Sequence, residues 1–109
     1  MALNPTTAAL ADGQLSLAKT TLYTVPASTK AIVKSIILVN TNTTTSRIVQ
    51  LYVNRTGTSR RIWARDYTIT PKSRAEDTAV ITLETGDLIE GEADAASEVD
   101  YVISGATET

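Results

Sequence analysis

The sequence predicts an all-β protein, a single β-sandwich or jelly-roll-like domain of about seven to eight short antiparallel strands. Thr accounts for 19 of the 109 residues, Val and Ile are also common, and Phe is absent. Side chains branched at Cβ fit the pleated surface of a strand better than a helix. Apolar segments recur at spacings of ~8–12 residues between turn-forming residues, and none has a helical period. A chain of this length can bury one core, so we expect a single domain.

The N-terminal part of the chain is predicted to be an arm followed by strands. Residues 1–13 show neither alternation nor a helical period, so we expect an extended arm that leaves its own domain, with Leu3 and Leu10 as its apolar anchors. Pro26 ends the second strand because proline has no N–H to donate to a ladder. The first four strands are predicted at residues 14–17, 20–25, 31–40 and 46–54.

The segment at residues 31–40 is apolar on both faces. One face carries Ile32, Lys34, Ile36 and Leu38, and the other carries Val33, Ser35, Ile37 and Val39. A strand with one solvated face would alternate apolar and polar residues, so both faces of this strand are expected to be covered. The opposite sheet covers one face. The other face is covered either by the arm or a neighbouring subunit, or by another part of the same monomer.

The C-terminal part of the chain begins with a hairpin signal at residues 54–57 (NRTG). In the return strand at residues 59–65, Arg61, Trp63 and Arg65 share one face, so at least one row of arginines is expected to face solvent. A short strand at residues 66–69 and a charged loop at 72–77 follow. Strands at 79–83 and 88–92 are predicted to form a hairpin, and the last strand is predicted at 99–104. The sandwich domain then spans residues 14–105, and residues 106–109 form a C-terminal tail.

Charge is distributed unevenly along the chain. Residues 47–74 contain seven basic residues and one acidic residue, a net charge of +6, whereas residues 84–100 contain seven acidic and no basic residues, a net charge of −7. The two segments either interleave and cancel within the sandwich, or form separate patches that suit contact between copies. The candidate contact residues are Arg60, Arg61, Trp63 and Arg65 on the basic side and Glu90, Glu92 and Asp94 on the acidic side.

Catalysis has little support in the sequence. The chain has no His and no Cys, and therefore no imidazole base, no thiol nucleophile and none of the usual zinc or copper ligands. The carboxylate pair of a glycosidase would have to come from residues such as Asp66, Glu76 or Asp77. Asp66 follows Arg65 directly and the other two lie in a charged segment, so a solvated surface is the favoured interpretation. We expect no catalytic residues.

Cation, nucleic-acid and membrane sites are also disfavoured. The three acidic candidates could in principle hold a hard cation such as Ca²⁺, but they lack the spacing of an EF-hand loop, and a solvent-facing acidic row is favoured. Nucleic-acid binding through Arg60, Arg61 and Trp63 has weak support because the pI is near 5.0. The sequence has neither an apolar stretch of ~20 residues nor a secretory signal, so we expect a soluble protein that is not exported. We also expect no cofactor.

Five segments share a pattern of strands and turns. They are residues 22–28 (LYTVPAS), 31–36 (AIVKSI), 39–42 (VNTN), 83–87 (LETGD) and 99–105 (VDYVISG). Together they resemble small virion proteins of tailed bacteriophages, over most of the chain. The resemblance implies a single β-sandwich module attached to a capsid or a tail.

Within that class, the resemblance and the predicted arm favour a capsid decoration (cement) protein. Such proteins are often trimers, so the implied partners are the major capsid protein and copies of the chain itself. The implied location is the virion, assembled in the cytoplasm of the bacterial host. The alternative is a tail- or fibre-associated module that binds a receptor or adaptor, and a carboxylate-based glycosidase is a distant third.

Overall fold

The computed structural model describes residues 6–108 and confirms the all-β fold. Two antiparallel sheets pack face to face as a sandwich. The described residues form more strands than predicted, and none of them forms a helix that could cross a membrane. The strands are β1 (Thr6–Gln14), β2 (Thr20–Thr24), β3 (Lys30–Asn40), β4 (Arg47–Arg55), β5 (Thr58–Arg61), β6 (Tyr67–Ile69), β7 (Arg74–Asp77), β8 (Ile81–Leu83), β9 (Leu88–Ala93) and β10 (Val99–Glu108).

The strands are divided between two five-stranded sheets. The first sheet has the order β1-β10-β3-β7, and β8 also pairs with β3. The second sheet has the order β2-β9-β4-β5, and β6 also pairs with β4. Several strands that follow one another in the chain, such as β1 and β2, lie in different sheets. The chain therefore crosses between the two layers. The central strands are β10 and β3 in the first sheet and β9 and β4 in the second.

The core lies between the two sheets and is built from β-branched and leucine side chains. Both sheets contribute residues that have 1 % or less of their surface exposed. Burial of each such side chain contributes about 1.5–3 kcal/mol relative to exposure. The largest of these residues are Leu15, Ile36, Leu38, Leu51, Leu83, Ile89 and Ile103.

A β-bulge at Lys34 decides which residues of β3 face the core. Ser35 pairs with Ser104. The next pair along the ladder joins Val33 to Gly105, so Lys34 has no partner and the alternation changes phase there. The predicted faces of this strand, which alternate without interruption, are corrected accordingly. The buried residues of β3 are Ala31, Val33, Ile36, Leu38 and Asn40.

Glycine is required beside this bulge. A Cβ atom on Gly105 would lie 1.8 Å from the carbonyl oxygen of Ile32, far inside van der Waals contact. The obstructing atom belongs to the backbone and cannot rotate away. The absence of a side chain at Gly105 therefore allows β3 and β10 to approach each other where the ladder shifts.

The hairpin predicted at residues 54–57 is confirmed. β4 ends at Arg55 and β5 begins at Thr58, which leaves a turn of two residues. Thr56 has a φ of 54° and Gly57 a φ of 88°. Positive φ at both central positions is typical of a type I′ turn, whose twist matches that of the flanking strands.

The predicted N-terminal arm is wrong for the residues that the structure describes. Residues 6–13 belong to β1, which pairs with β10 along its length. A bulge at Leu10 interrupts the alternation of β1, which explains why the sequence shows no two-residue period there. Leu10 packs against its own core instead of reaching a neighbour. Residues 1–5, including the other predicted anchor Leu3, lie outside the described residues.

Other predicted elements also need correction. The charged loop predicted at residues 72–77 contains β7, in which only Ala75 is buried. The predicted hairpin at residues 79–92 is absent, because β8 pairs with β3 in the first sheet whereas β9 lies in the second. The predicted C-terminal tail belongs to β10, which ends at Glu108. The strand predicted at residues 14–17 includes only the end of β1, and the rest of it is loop.

Candidate docking surfaces

The outer face of the first sheet is apolar at its centre. Ile37 of β3 lies opposite Val102 of β10 and on the same face. Val102 is 42 % exposed, and Ile37 is half-buried between its neighbours. Ile32 and Val39 continue the apolar stripe along β3 and are also half-buried. Within residues 6–108, no strand lies over this face.

Charged residues border this apolar stripe. Glu76 of β7 lies beside Ile37, and Asp12 of β1 lies beside Val102, so a carboxylate stands at each end of the central row. Arg74 lies beside Val39 in the adjacent row. An apolar centre with a charged rim is the usual arrangement of a specific protein contact surface.

The basic and acidic segments interleave where β4 and β9 pair in the second sheet. Arg47 Nη2 lies 3.0 Å from Glu98 Oε2, and its Nη1 lies 3.8 Å from Asp94 Oδ1. Arg55 Nη1 lies 2.9 Å from Asp87 Oδ2, whose residue is buried. For these residues the cancelling interpretation is correct, because the opposite charges neutralise each other within one molecule.

The arginines after the hairpin turn remain at the surface. Arg61 lies over the ring of Tyr52, with Cζ 5.0 Å from the ring centroid, and Lys19 Nζ lies 4.7 Å from the same centroid. Arg60 and Arg65 are exposed and form no ion pair within the described part of the chain. The outer face and edge of the second sheet are therefore basic near Tyr52.

Trp63 is turned inward instead of lining that basic surface. β5 ends at Arg61, so Trp63 does not continue the predicted row with Arg61 and Arg65. Its ring packs against the core, and its Nε1 donates a hydrogen bond to Asp77 Oδ2 at 2.7 Å. Since Asp77 belongs to β7, this contact ties the chain after β5 in the second sheet to the first sheet.

Glu90 and Glu92 share the outer face of β9, opposite Tyr52 and Gln50, but the acidic row is not solvent-facing throughout. Glu90 is buried, although it was predicted to face solvent, and it accepts a hydrogen bond from Ser59 Oγ at 2.6 Å. Glu92 is half-buried. Asp94 is exposed, and its Oδ1 accepts a hydrogen bond from the Ile48 N–H at 3.1 Å. No three carboxylates among residues 6–108 converge as a cation site would require.

The second sheet also has a small pocket on its outer face. The pocket has a volume of about 350 Å³, and Leu17 and Ile48 provide its apolar part. These side chains are 63 % and 37 % exposed, respectively. Three carboxylates, from Asp66, Glu92 and Asp94, surround them. The pocket is therefore mixed in character, with apolar side chains beside acidic ones.

Two titratable groups have pKa values shifted by their surroundings. The hydrogen bond from Asn42 is the main cause that lowers the pKa of Glu98; desolvation opposes it, and the charge and hydrogen bond of Arg47 lower the pKa further. Burial raises the pKa of Tyr23. Tyr23 packs against the core and Glu98 anchors a loop, so both shifts report on the folded structure rather than on a binding site.

No protein-family model matches the chain, and the curated proteins include no match to it. Function is therefore inferred from the surfaces described above.

Val102, the most exposed apolar residue at the centre of the first sheet, is not among the predicted contact residues. A signal for it exists, because Val102 alternates with Tyr101 and Ile103 along the last strand. Its significance depends on Ile37 lying opposite, and that pairing links positions far apart in the sequence.

Proposed function

We propose that this protein is a non-enzymatic virion structural protein, a capsid decoration (cement) protein that binds the outer surface of a phage head and stabilises it. The observation that carries the proposal is the uncovered apolar stripe through Ile37 and Val102 on the outer face of the first sheet. Apolar patches on soluble domains commonly mark contact sites. The resemblance described above supplies the class of partner, the major capsid protein.

The shape and chemistry of this face suit attachment to a protein shell. A five-stranded sheet offers a broad surface, and its apolar centre supplies affinity through burial. The carboxylates of Glu76 and Asp12 at the two ends of the central row would set the orientation by pairing with basic groups of the shell.

A pair of matched substitutions tests the docking face. Val102→Lys places a charge at the centre of the first sheet's outer face, whereas Ile48→Lys places one on the outer face of the second sheet. Both residues are exposed to a similar degree, 42 % and 37 %. We expect Val102→Lys to abolish co-sedimentation with undecorated phage heads and Ile48→Lys to retain it, with little change in Tm for either variant.

The opposite pattern would contradict the docking face. Loss of head binding in Ile48→Lys alone would move the contact to the second sheet. Binding of the unmodified protein to isolated tails and not to heads would contradict the decoration role and favour the tail-associated module.

The non-enzymatic part of the proposal has its own test. Purified protein is expected to leave bacterial cell-wall glycan intact during prolonged incubation. Turnover that disappears in Asp66→Ala or Glu90→Ala would show that the chain is an enzyme.

A further inference from the structure

The edges of the two sheets differ in how readily they could pair with another chain. An edge strand presents unpaired N–H and C=O groups to solvent. The second sheet ends in β2, of five residues, and in β5 and β6, of four and three. One edge of the first sheet is likewise divided between β7 and β8, of four and three residues. Its other edge is β1, a nine-residue strand whose partner among the described strands is β10 alone.

β1 also carries fewer charges than β5 and β7; the uncharged edge strands β2, β6 and β8 are protected by their shortness. β5 carries two charged residues among its four, and β7 carries three. Within residues 6–14, Asp12 is the one charged residue, and there is no proline or lysine. The bulge at Leu10 is the one protective feature, and the Leu10 side chain is engaged with the core. β1 therefore has both the length and the composition of a strand that pairs with another strand.

We propose that two copies of this chain associate through β1, which pairs antiparallel with β1 of a second copy across a two-fold axis. The strand is suited to pairing with itself because the bulge at Leu10 lies near its midpoint, so an axis between Leu10 and Ala11 sets outward-facing residues opposite outward-facing ones. This axis places Asp12 opposite Ala9 of the second copy, so like charges do not meet. A two-fold interface requires a self-complementary surface, and this one opposes residues 7–14 to the same eight residues.

The association extends the docking face. The two first sheets join edge to edge into a single sheet of ten strands, five from each copy. Their outer faces become continuous, so the stripe through Ile37 and Val102 is presented twice to the same shell. Because a two-fold pairing closes at two copies, this dimer replaces the trimer that the resemblance implies. Self-association stands apart from the proposed function, since it is measured without a phage head.

The experiment combines a mass measurement with cysteine cross-linking. Sedimentation equilibrium of the full chain is expected to give twice the 11.6 kDa of one copy. The chain has no Cys, so single introduced cysteines report on one position each. Ala9→Cys and Asp12→Cys, alone and as a mixture, are oxidised under mild conditions. Val80→Cys is the control, because Val80 is 66 % exposed in the loop between β7 and β8.

Paired strands bring facing Cα atoms to about 4.5–5.5 Å, which a disulfide can span. We expect at least one β1 variant or mixed pair to cross-link several-fold more than Val80→Cys. With the axis between Leu10 and Ala11, the mixture of Ala9→Cys and Asp12→Cys gives the highest yield. A monomeric or trimeric mass would overturn the proposal, and so would β1 cross-linking no greater than that of the control. Loss of head binding in the docking-face variants without loss of dimerisation would affect the proposed function alone.

Discussion

Asn40 holds the loop that follows β3 in place from inside the sandwich. Its side chain is fully buried, and Nδ2 donates to the carbonyl oxygens of Ile69 at 2.9 Å and Thr45 at 3.0 Å. Its Oδ1 accepts the Asn42 N–H at 3.0 Å. One amide group thus satisfies three backbone groups, which explains why a polar residue ends a strand that is otherwise apolar.

Replacing this amide should be costly. Asn40→Ala leaves two inward-facing carbonyl groups without their donor, so we expect the free energy of unfolding to fall by about 2–4 kcal/mol. Thr43→Ala, an exposed change in the same loop, should alter it by less than about 0.5 kcal/mol. Urea unfolding followed by the fluorescence of Trp63, the single Trp of the chain, measures both. Equal effects of the two substitutions would show that the Asn40 hydrogen bonds do not hold the loop.

Glu98 should make stability depend on acid pH. Its pKa in the folded state lies below the ordinary value of 4.5, chiefly because Asn42 donates to the carboxylate. In the window between those two values the unfolded chain binds more protons, so stability rises with pH there. The stabilisation is complete above the ordinary value and is lost as pH falls through the folded pKa. Urea midpoints measured from about pH 3 to pH 7 should therefore fall less steeply towards acid in Glu98→Gln than in the unmodified protein.

Among the strands, β1 is the one whose role differs most from the sequence prediction. An arm could be removed without affecting the domain. The observed β1 completes one edge of the first sheet, and Leu10 and Ala11 pack against the core. Removing residues 1–13 should therefore lower Tm by more than about 10 °C, because a loss of each 1 kcal/mol shifts Tm by about 4–8 °C in domains of this size.

A substitution within the strand separates packing from pairing. Leu10→Ala in the full chain removes part of the packing and keeps the ladder, so its effect on Tm should be smaller than that of the truncation. Thermal unfolding followed by circular dichroism measures both. A truncated protein with an unchanged Tm would mean that β1 is dispensable for folding.

The strands that the sequence predicts well are those with strong alternation or a decisive turn. β3 and β4 and the turn between β4 and β5 are examples, because branched apolar residues and the Thr56-Gly57 turn act locally. β1 and β7 are missed, since one has a bulge at Leu10 and the other has only Ala75 facing the core. Local pattern also cannot show that β8 and β9 enter different sheets, because their partners lie elsewhere in the chain.

The candidate surfaces were predictable to a similar extent. The apolar second face of residues 31–40 is visible in the sequence, and the structure places part of it on the outer face of the first sheet. The bulge at Lys34 shifts which residues face outward, and it depends on the contact between Gly105 and Ile32. The burial of Glu90 likewise depends on Ser59, which lies 31 positions earlier in the chain.

At the scale of the whole molecule, the arginines divide into two classes. Arg55 connects the sheets: it pairs with buried Asp87 and donates through Nη2 to the Thr82 carbonyl oxygen at 2.7 Å. Arg60 and Arg65 make no ion pair within the described residues and remain available at the surface. The charges that cancel internally should therefore affect folding, and the exposed ones should not.

Neutralising each class separately tests this division. Arg55→Gln leaves Asp87 buried without its cation, so the free energy of unfolding should fall by about 1–3 kcal/mol, because a buried charge that loses its partner keeps its desolvation cost. Arg60→Gln combined with Arg65→Gln should change it by less than about 0.5 kcal/mol. Attachment of the double variant to phage heads should be unchanged, because Arg60 lies in β5 of the second sheet and Arg65 follows that strand, away from the docking face on the first sheet. Urea unfolding and head co-sedimentation across a salt series measure the two effects. Weaker attachment of the double variant, above all at low ionic strength where screening of exposed charges is smallest, would instead place part of the shell contact on the second sheet.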